Sequence, residues 1–282
     1  MQLTFATPNE KAAVMALYDL CFPGEHEYCV YYHDNFWKPD RCLLVKDGEK
    51  LIAMVNLMDA AMQGEDGLLD VTYIFAAATH PDYRGKGIMG NMLEFSFGMG
   101  EAEGKDLSIL ITENDSLFAF YKRFGYEPSF AVSELRPGQE PPFPMCKLRM
   151  LNETDIPKQE YLFKAATAGR LAIHRDEQRW KEILEEYNER AFGLFDQSGG
   201  NLLAFALMDE QGVNAVEIIG IGADYLLWSC SMQPAQAVGR TLPRQDGEGN
   251  MPIGCALALS PRDEAELRDK AALLPYINIL FN

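Results

Sequence analysis

Residues 79–90 read THPDYRGKGIMG, and three glycines, Gly85, Gly87 and Gly90, fall within six positions. They follow an apolar run, LLDVTYIFAAA, and lead into an apolar segment with helical spacing. A chain places its most permissive backbone at such a junction when the turn needs a left-handed conformation, or when something must approach without meeting a Cβ. A strand that ends in a glycine turn and opens a helix leaves several N–H groups without acceptors. With the helix dipole they form an anion site. Arg84, Gly85, Lys86, Gly87, Ile88, Met89 and Gly90 are therefore expected to hold a pyrophosphate, with Arg84 and Lys86 adding charge. The phosphate loop of nucleotide triphosphatases needs Ser or Thr after its Gly-Lys, and this stretch does not fit. GKGIMG does match the dinucleotide pattern GxGxxG, with Glu113 about 23 residues on, so an NAD-binding oxidoreductase stands as an alternative.

The surrounding patterns predict an α+β chain. QLTFAT reads as an opening strand. Thr7-Pro8, with Glu10 behind it, starts an amphipathic helix whose apolar stripe is expected at Ala13, Met15, Leu17 and Leu20. HEYCVYYHDNFW reads as a second helix. Two apolar runs around KDGEK give a hairpin signal, and the run that stops at Pro81 is the next strand. After the glycine loop come a helix to about residue 103, a buried strand DLSILITEN, a helix from Asn114 to the stop at Gly125, and a returning strand YEPSFAVSEL. The expected order is β-α-α-β-β-β-α-β-α-β over residues 1–136, with the Pro-rich stretch RPGQEPPFPM at 136–145 supplying the linker, 137–145. Residues 146–282 read as a second α/β unit: a charged helix DEQRWKEILEEYNERA, strands FGLFDQ, NLLAFALMDE and NAVEIIGI, and further strand candidates YLLWSCS, GCALALS and YINILFN. No second glycine loop is expected there, and His174 and Arg175 read as an ordinary approach to a helix.

Charge excludes some functions. The 282 residues carry 42 acidic and 25 basic side chains, a net charge of −17. Such a surface repels a phosphate backbone, so nucleic acid is not an expected partner. No run reaches the roughly 18 apolar residues that a membrane span requires. The start of the chain lacks the apolar core of a secretory signal. The six cysteines show no CxxC spacing, so no metal site is expected and they read as reduced thiols. A cytoplasmic chain follows as the expectation. A homo-oligomer stays open.

THPDYRGKGIMGNML resembles the acetyl-CoA loop of the GNAT N-acetyltransferases, Arg/Gln-x-x-Gly-x-Gly/Ala, with Met89 standing at the second small position. NDSLFAFYKRFGYEP is similar to that family's second block: Asn114, Tyr121 and Gly125 match, while Leu117 and Tyr126 replace the usual Ala and Phe. The resemblance covers about residues 1–135. It implies a GNAT acyl-CoA N-acyltransferase fold with a mixed, mostly antiparallel central sheet, followed by a degenerate second GNAT-like domain. A weaker likeness links the two-part layout to the multi-domain acetyltransferases of the enhanced-intracellular-survival type, which carry a third, sterol-carrier-like domain. The third domain is not expected within these 282 residues.

The resemblance implies acetyl-CoA as cofactor and direct attack by a primary amine of a small molecule, an aminoglycoside or a peptide. The pantetheine arm would lie between two splayed strands and pair with the backbone near Ala77, Ala78 and Thr79. Tyr121 would give the leaving thiolate a proton or hydrogen bond, and Asn114 would belong to the same site. Glu113 is a candidate base. His26, Glu27, Tyr31 and His33 are candidates on the acceptor side, where Glu25, Asp34 and the aromatics Tyr28, Tyr32, Phe36 and Trp37 suit a cationic amine. Asn282 is the position of the terminal carboxylate that serves as base in those relatives. A non-catalytic acyl-CoA-binding module is a second alternative, but it has no need of a phenol at position 121.

Overall fold

The computed structural model describes residues 1–64, 67–142, 145–259 and 275–277. In the first half, β1 (Gln2–Phe5) is followed by α1 (Lys11–Cys21), α2 (His26–Asn35), β2 (Cys42–Asp47), β3 (Lys50–Gly64) and β4 (Gly67–Thr79). Then come α3 (Ile88–Glu103), β5 (Leu107–Ile111), α4 (Asp115–Lys122) and β6 (Glu127–Leu135). This is the expected order. Thr7 and Glu10 form a capping box, but it opens a single 3-10 turn that feeds α1. The buried stripe of α1 is Val14, Leu17 and Tyr18, whereas Leu20 is exposed. The pattern of apolar residues fixes that there is a helix, but Tyr18 counts as apolar only once Glu25 accepts its hydroxyl proton at 2.9 Å.

The second half holds β7 (Lys147–Met150), α5 (Ile156–Ala166), β8 (Ala172–Ile173), α6 (Glu177–Tyr187), β9 (Ala191–Phe195), β10 (Leu202–Met208) and β11 (Ala215–Gly220). After these come α7 (Ala223–Cys230), β12 (Gly239–Thr241) and β13 (Asn250–Ala258). YLLWSC, expected as a strand, is α7. A short apolar run rich in aromatics satisfies either period, and here Leu226 and Leu227 face the sheet of this half. Of YINILFN, only Tyr276 and Ile277 are among the described residues, and Tyr276 makes an isolated bridge to Ala172.

Among the described residues, thirteen strands share one sheet. From one edge run β1, β2, β3, β4 and β5, antiparallel until β4 meets β5 in parallel. From the other edge run β7, β9, β10, β11 and β12, antiparallel until β11 meets β12 in parallel. The second half thus repeats the strand pattern of the first, with α7 taking the crossover place of α3. Between them sit β13 and β6, and they are exchanged. β13 of the second half pairs with β5 of the first, and β6 of the first half pairs with β12 of the second. The two middle strands also pair with each other. Sequence alone placed the division at 137–145; the sheet runs straight across it.

Burial follows the exchange. Phe130 and Val132 of β6 and Ile253 of β13 pack into one cluster with Tyr73, Leu107, Trp180 and Phe205 from both halves. Each such side chain stabilises the fold by roughly 1.5–3 kcal/mol relative to exposure. The other face carries a cluster of Ile88, Met92, Leu93, Tyr121 and Tyr126, which seats α3 and α4 on the first half.

Candidate active site

β4 and β5 stay paired only from Val71 to Tyr73 against Leu107 to Ile109. Beyond that they part. The cause lies in β4, where Met54 pairs with Ala78 but Asn56 pairs with Phe75, so one residue of β3 faces two of β4. Ala76 at this bulge has φ +49°, a left-handed conformation that costs a non-glycine residue about 1 kcal/mol or more. The gap is a cleft of about 440 Å³. Its strand walls are residues 73–77 of β4, Leu110 and Ile111 of β5 and Thr112 just beyond it, with Leu117 and Tyr121 from α4. The corner of α1 and α2 adds Tyr18, Phe22, Glu25 and Tyr28. The cleft joins both faces of the sheet, since Tyr18, Tyr73 and Phe75 belong to one core cluster and Ile74, Leu110 and Tyr121 to the other.

At the end of β4 the glycine loop turns into α3. Gly85 and Gly87 have φ +75° and +76°, and a Cβ on either would meet nothing within 4 Å. Their glycine character therefore serves backbone conformation and open approach rather than packing. The first helical hydrogen bond runs from Asn91 to Gly87, which leaves the N–H groups of Ile88, Met89 and Gly90 without acceptors in the helix. Arg84 donates through Nε to the carbonyl of Thr79 at 3.0 Å, and Lys86 reaches the carbonyl of Asp82 at 3.1 Å while lying over the Tyr83 ring. Both cations thus stay at the loop. Gly90 has a different part. It is buried, and a Cβ there would lie 2.7 Å from Cζ of Phe124.

Of Ala77, Ala78 and Thr79, only Ala77 lines the cleft; Ala78 and Thr79 pair with Met54 and Ala53 of β3. Tyr121 lies on the wall with its ring buried, and that burial pushes its hydroxyl up to about 12. Asn114 caps α4, accepting from the amides of Ser116 and Leu117 and from the Ser116 hydroxyl, so its oxygen is committed to the helix that carries Tyr121.

Other expected residues are not brought together here. Glu113 grips Arg240 through both carboxylate oxygens, at 2.5 and 2.9 Å, and does not line the cleft. Its position after β5 suggested a base, but the second half supplies a cation that takes it. His26 is exposed and pairs with Asp19 at 3.0 Å. His33 is buried, its Nδ1 is 2.7 Å from the carbonyl of Cys29, and burial pulls its imidazole below the usual range. Glu27 and Tyr31 line a separate cavity of about 590 Å³ with Glu186, Arg190 and Asp209; Tyr28 lines both cavities. Asn282 lies outside the described residues.

Two features escaped the sequence reading. Gly220 and Gly222, both with positive φ, form a second strand–glycine–helix junction between β11 and α7. Unlike its counterpart, it is closed. Pro142 of the linker packs on Gly222 within the space of a Cβ, and the Gly138 amide donates to the carbonyl of Asp224 at 2.9 Å. GIG at 220–222 after an apolar strand was the available signal. The second feature is the buried pair of Arg175 and Glu217, joined by two hydrogen bonds of 2.7 and 2.9 Å, with the Tyr276 hydroxyl donating to Glu217 at 2.7 Å.

Residues 3–129 match the family model described as acetyltransferase (GNAT) domain. No curated protein matches the sequence. Solved structures share the fold at low identity. A GCN5-related N-acetyltransferase from Kribbella flavida superposes with a TM-score of 0.67 at 16% identity, over 92% of this chain and 72% of that one. Eis1 from Mycobacterium abscessus gives 0.62 at 10% identity, over 92% and 74%. A tandem GNAT protein from the clavulanic acid biosynthesis pathway gives 0.55 at 10% identity, over 92% and 99%. Among the described residues no helix is long and apolar enough to cross a membrane.

Proposed function

We propose that this chain moves an acetyl group from acetyl-CoA to a primary amine, a reading supported by the match of residues 3–129 to the acetyltransferase (GNAT) domain model. The observation that carries the reading is the cleft between β4 and β5, which has a glycine loop with free amides at the end of β4 and the Tyr121 phenol on its wall. The residues present suit the carrier. The amides of Ile88, Met89 and Gly90 would hold the pyrophosphate, and the β4 backbone at Ala76 and Ala77 would pair with the pantetheine arm. Coenzyme A supplies the activated thioester.

The chain's own part is placement and proton handling. An acceptor amine held in the cleft attacks the thioester carbonyl; a C–N bond forms and the C–S bond breaks. Alignment of two reactants in one cleft supplies a large share of the rate. Tyr121 donates a hydrogen bond to the departing sulfur. With its hydroxyl at about 12 and an ordinary thiol near 8.5, full transfer from the phenol is uphill, so stabilisation of the developing thiolate is its main contribution. The second half closes its own glycine junction with Pro142, so among the described residues the junction after β4 is the open one of the two.

Calorimetric titration with acetyl-CoA, followed by thiol release in the presence of putrescine, lysine amide and glucosamine, tests the reading. Saturable binding and amine-dependent thiol release are expected. Binding of NADH in place of acetyl-CoA would overturn it.

A further inference from the structure

The cleft has two sides, and they carry different chemistry. Tyr121 belongs to the core cluster of α3 and α4, the face to which the glycine loop leads. Tyr18 and the α1–α2 corner belong to the cluster on the other face. A carrier held by the loop therefore reaches the cleft from one face, and an acceptor has the other open to it. On that second side stand Tyr18, Phe22, Tyr28, Tyr73 and Phe75, and among the described residues lining the cleft Glu25 is the one carboxylate.

Glu25 is held in place. It lies at the start of α2, where the chain turns after Pro23 and Gly24, the latter with φ +94°. The Tyr18 hydroxyl donates to its Oε2 at 2.9 Å, and Tyr18 itself is buried, with its ring 4.7 Å from that of Phe22. Oε1 takes no hydrogen bond among the described residues. One oxygen is thus fixed on Tyr18, and the carboxylate lines a gap walled by aromatic rings. Aromatic faces around a single carboxylate are what a protonated amine needs: the rings favour the cation, and the carboxylate gives it a direction.

We propose that Glu25, oriented by Tyr18, receives the acceptor ammonium and takes its first proton. This rests on the acetyltransferase reading and names the residue that prepares the nucleophile. The ammonium docks with N–H donated to Oε1. One proton moves to the carboxylate, and the neutral amine attacks the thioester carbon. After C–S cleavage the nitrogen releases a second proton. Of the two protons lost, one ends on the coenzyme A thiol and one in solvent. The chemistry selects acceptors that are cationic before reaction, with alkyl amines ahead of weakly basic ones.

The test compares Glu25→Gln and Tyr18→Phe with the unmodified protein. Glu25 is exposed, so E25Q keeps the fold, and calorimetry should give an unchanged affinity for acetyl-CoA. With putrescine and lysine amide, E25Q should lose about a hundredfold in kcat/KM. With glucosamine, a weaker base that is less protonated at neutral pH, the loss should be at least about tenfold smaller, a contrast that a merely structural role would not produce. Y18F should lose about three- to tenfold, as it frees the carboxylate without removing it. Equal losses for all three amines, or wild-type turnover by E25Q, would overturn the proposal and leave the acetyltransferase reading standing. Failure of the unmodified protein to bind acetyl-CoA would overturn both.

Discussion

Phe124 lies over Gly90 so closely that a Cβ on the glycine would come within 2.7 Å of the ring. This contact lets α4, which carries Tyr121, sit on the first turn of α3, which carries the loop amides. Gly98, in the same helix, is exposed and has nothing within 4 Å of its Cβ position. The two glycines should therefore respond oppositely to alanine. Gly98→Ala should raise stability by about 0.5–1 kcal/mol, the ordinary helix-propensity gain. Gly90→Ala makes the same gain but loses roughly 1–3 kcal/mol to overpacking, and should come out net destabilised and with weaker acetyl-CoA binding. Denaturant titration of both variants checks the pair.

Tyr121→Phe removes a hydrogen-bond donor and little volume. Turnover should fall about 10- to 100-fold while acetyl-CoA affinity stays within about twofold. Steady-state kinetics with a calorimetric Kd separates the two. Unchanged kcat would remove the phenol from the mechanism.

Arg175 and Glu217 are 1% and 0% exposed in their side chains, so neither can turn to solvent if the other is lost. Arg175→Met should cost about 3–5 kcal/mol because it strands the carboxylate of Glu217 beside the Tyr276 hydroxyl. The double variant Arg175→Met with Glu217→Leu should recover much of that loss. Urea midpoints for the single and double variants measure it; an additive double loss would contradict the pairing argument.

Glu186 gives a pH signature. Burial pushes its carboxyl up to about 7, against the opposing pull of Arg179 and Arg190, and Oε2 has no hydrogen-bond partner among the described residues. A carboxyl raised on folding binds its proton more tightly in the native state. Its contribution is complete below the ordinary carboxyl range near 4.5 and is lost as the pH climbs through about 7. Glu186→Gln does not titrate. It should match the unmodified protein near pH 4.5 and exceed it above pH 7, by at most about 3 kcal/mol. Thermal unfolding across that pH range reads the crossover.

What could be read from residues alone was local. The glycines at 85 and 87, the cap at Asn114 and Tyr121 two turns later are each set by neighbours within a few positions: the two glycines take positive φ, and Asn114 caps the helix that carries Tyr121. What the spacing did not show is set by distant chain. Glu113 looked free until Arg240, 127 residues away, closed on it. Gly90 read as loop backbone alone, and Phe124 makes it a packing position as well. His33 sits on the buried side of α2, and no pattern distinguished it from the exposed His26. Glu25 was visible only as one acid among several; its standing comes from the Tyr18 hydroxyl and from a cleft that exists because β4 bulges at Ala76.

The exchange of β6 and β13 also bears on engineering. The interlacing makes the two similar halves inseparable: recombination that shuffles either one into another protein delivers an incomplete sheet. Severed at Gly138 and co-expressed, the two pieces would have to meet before either could close around its core, so they would behave as a split reporter whose signal is the activity itself.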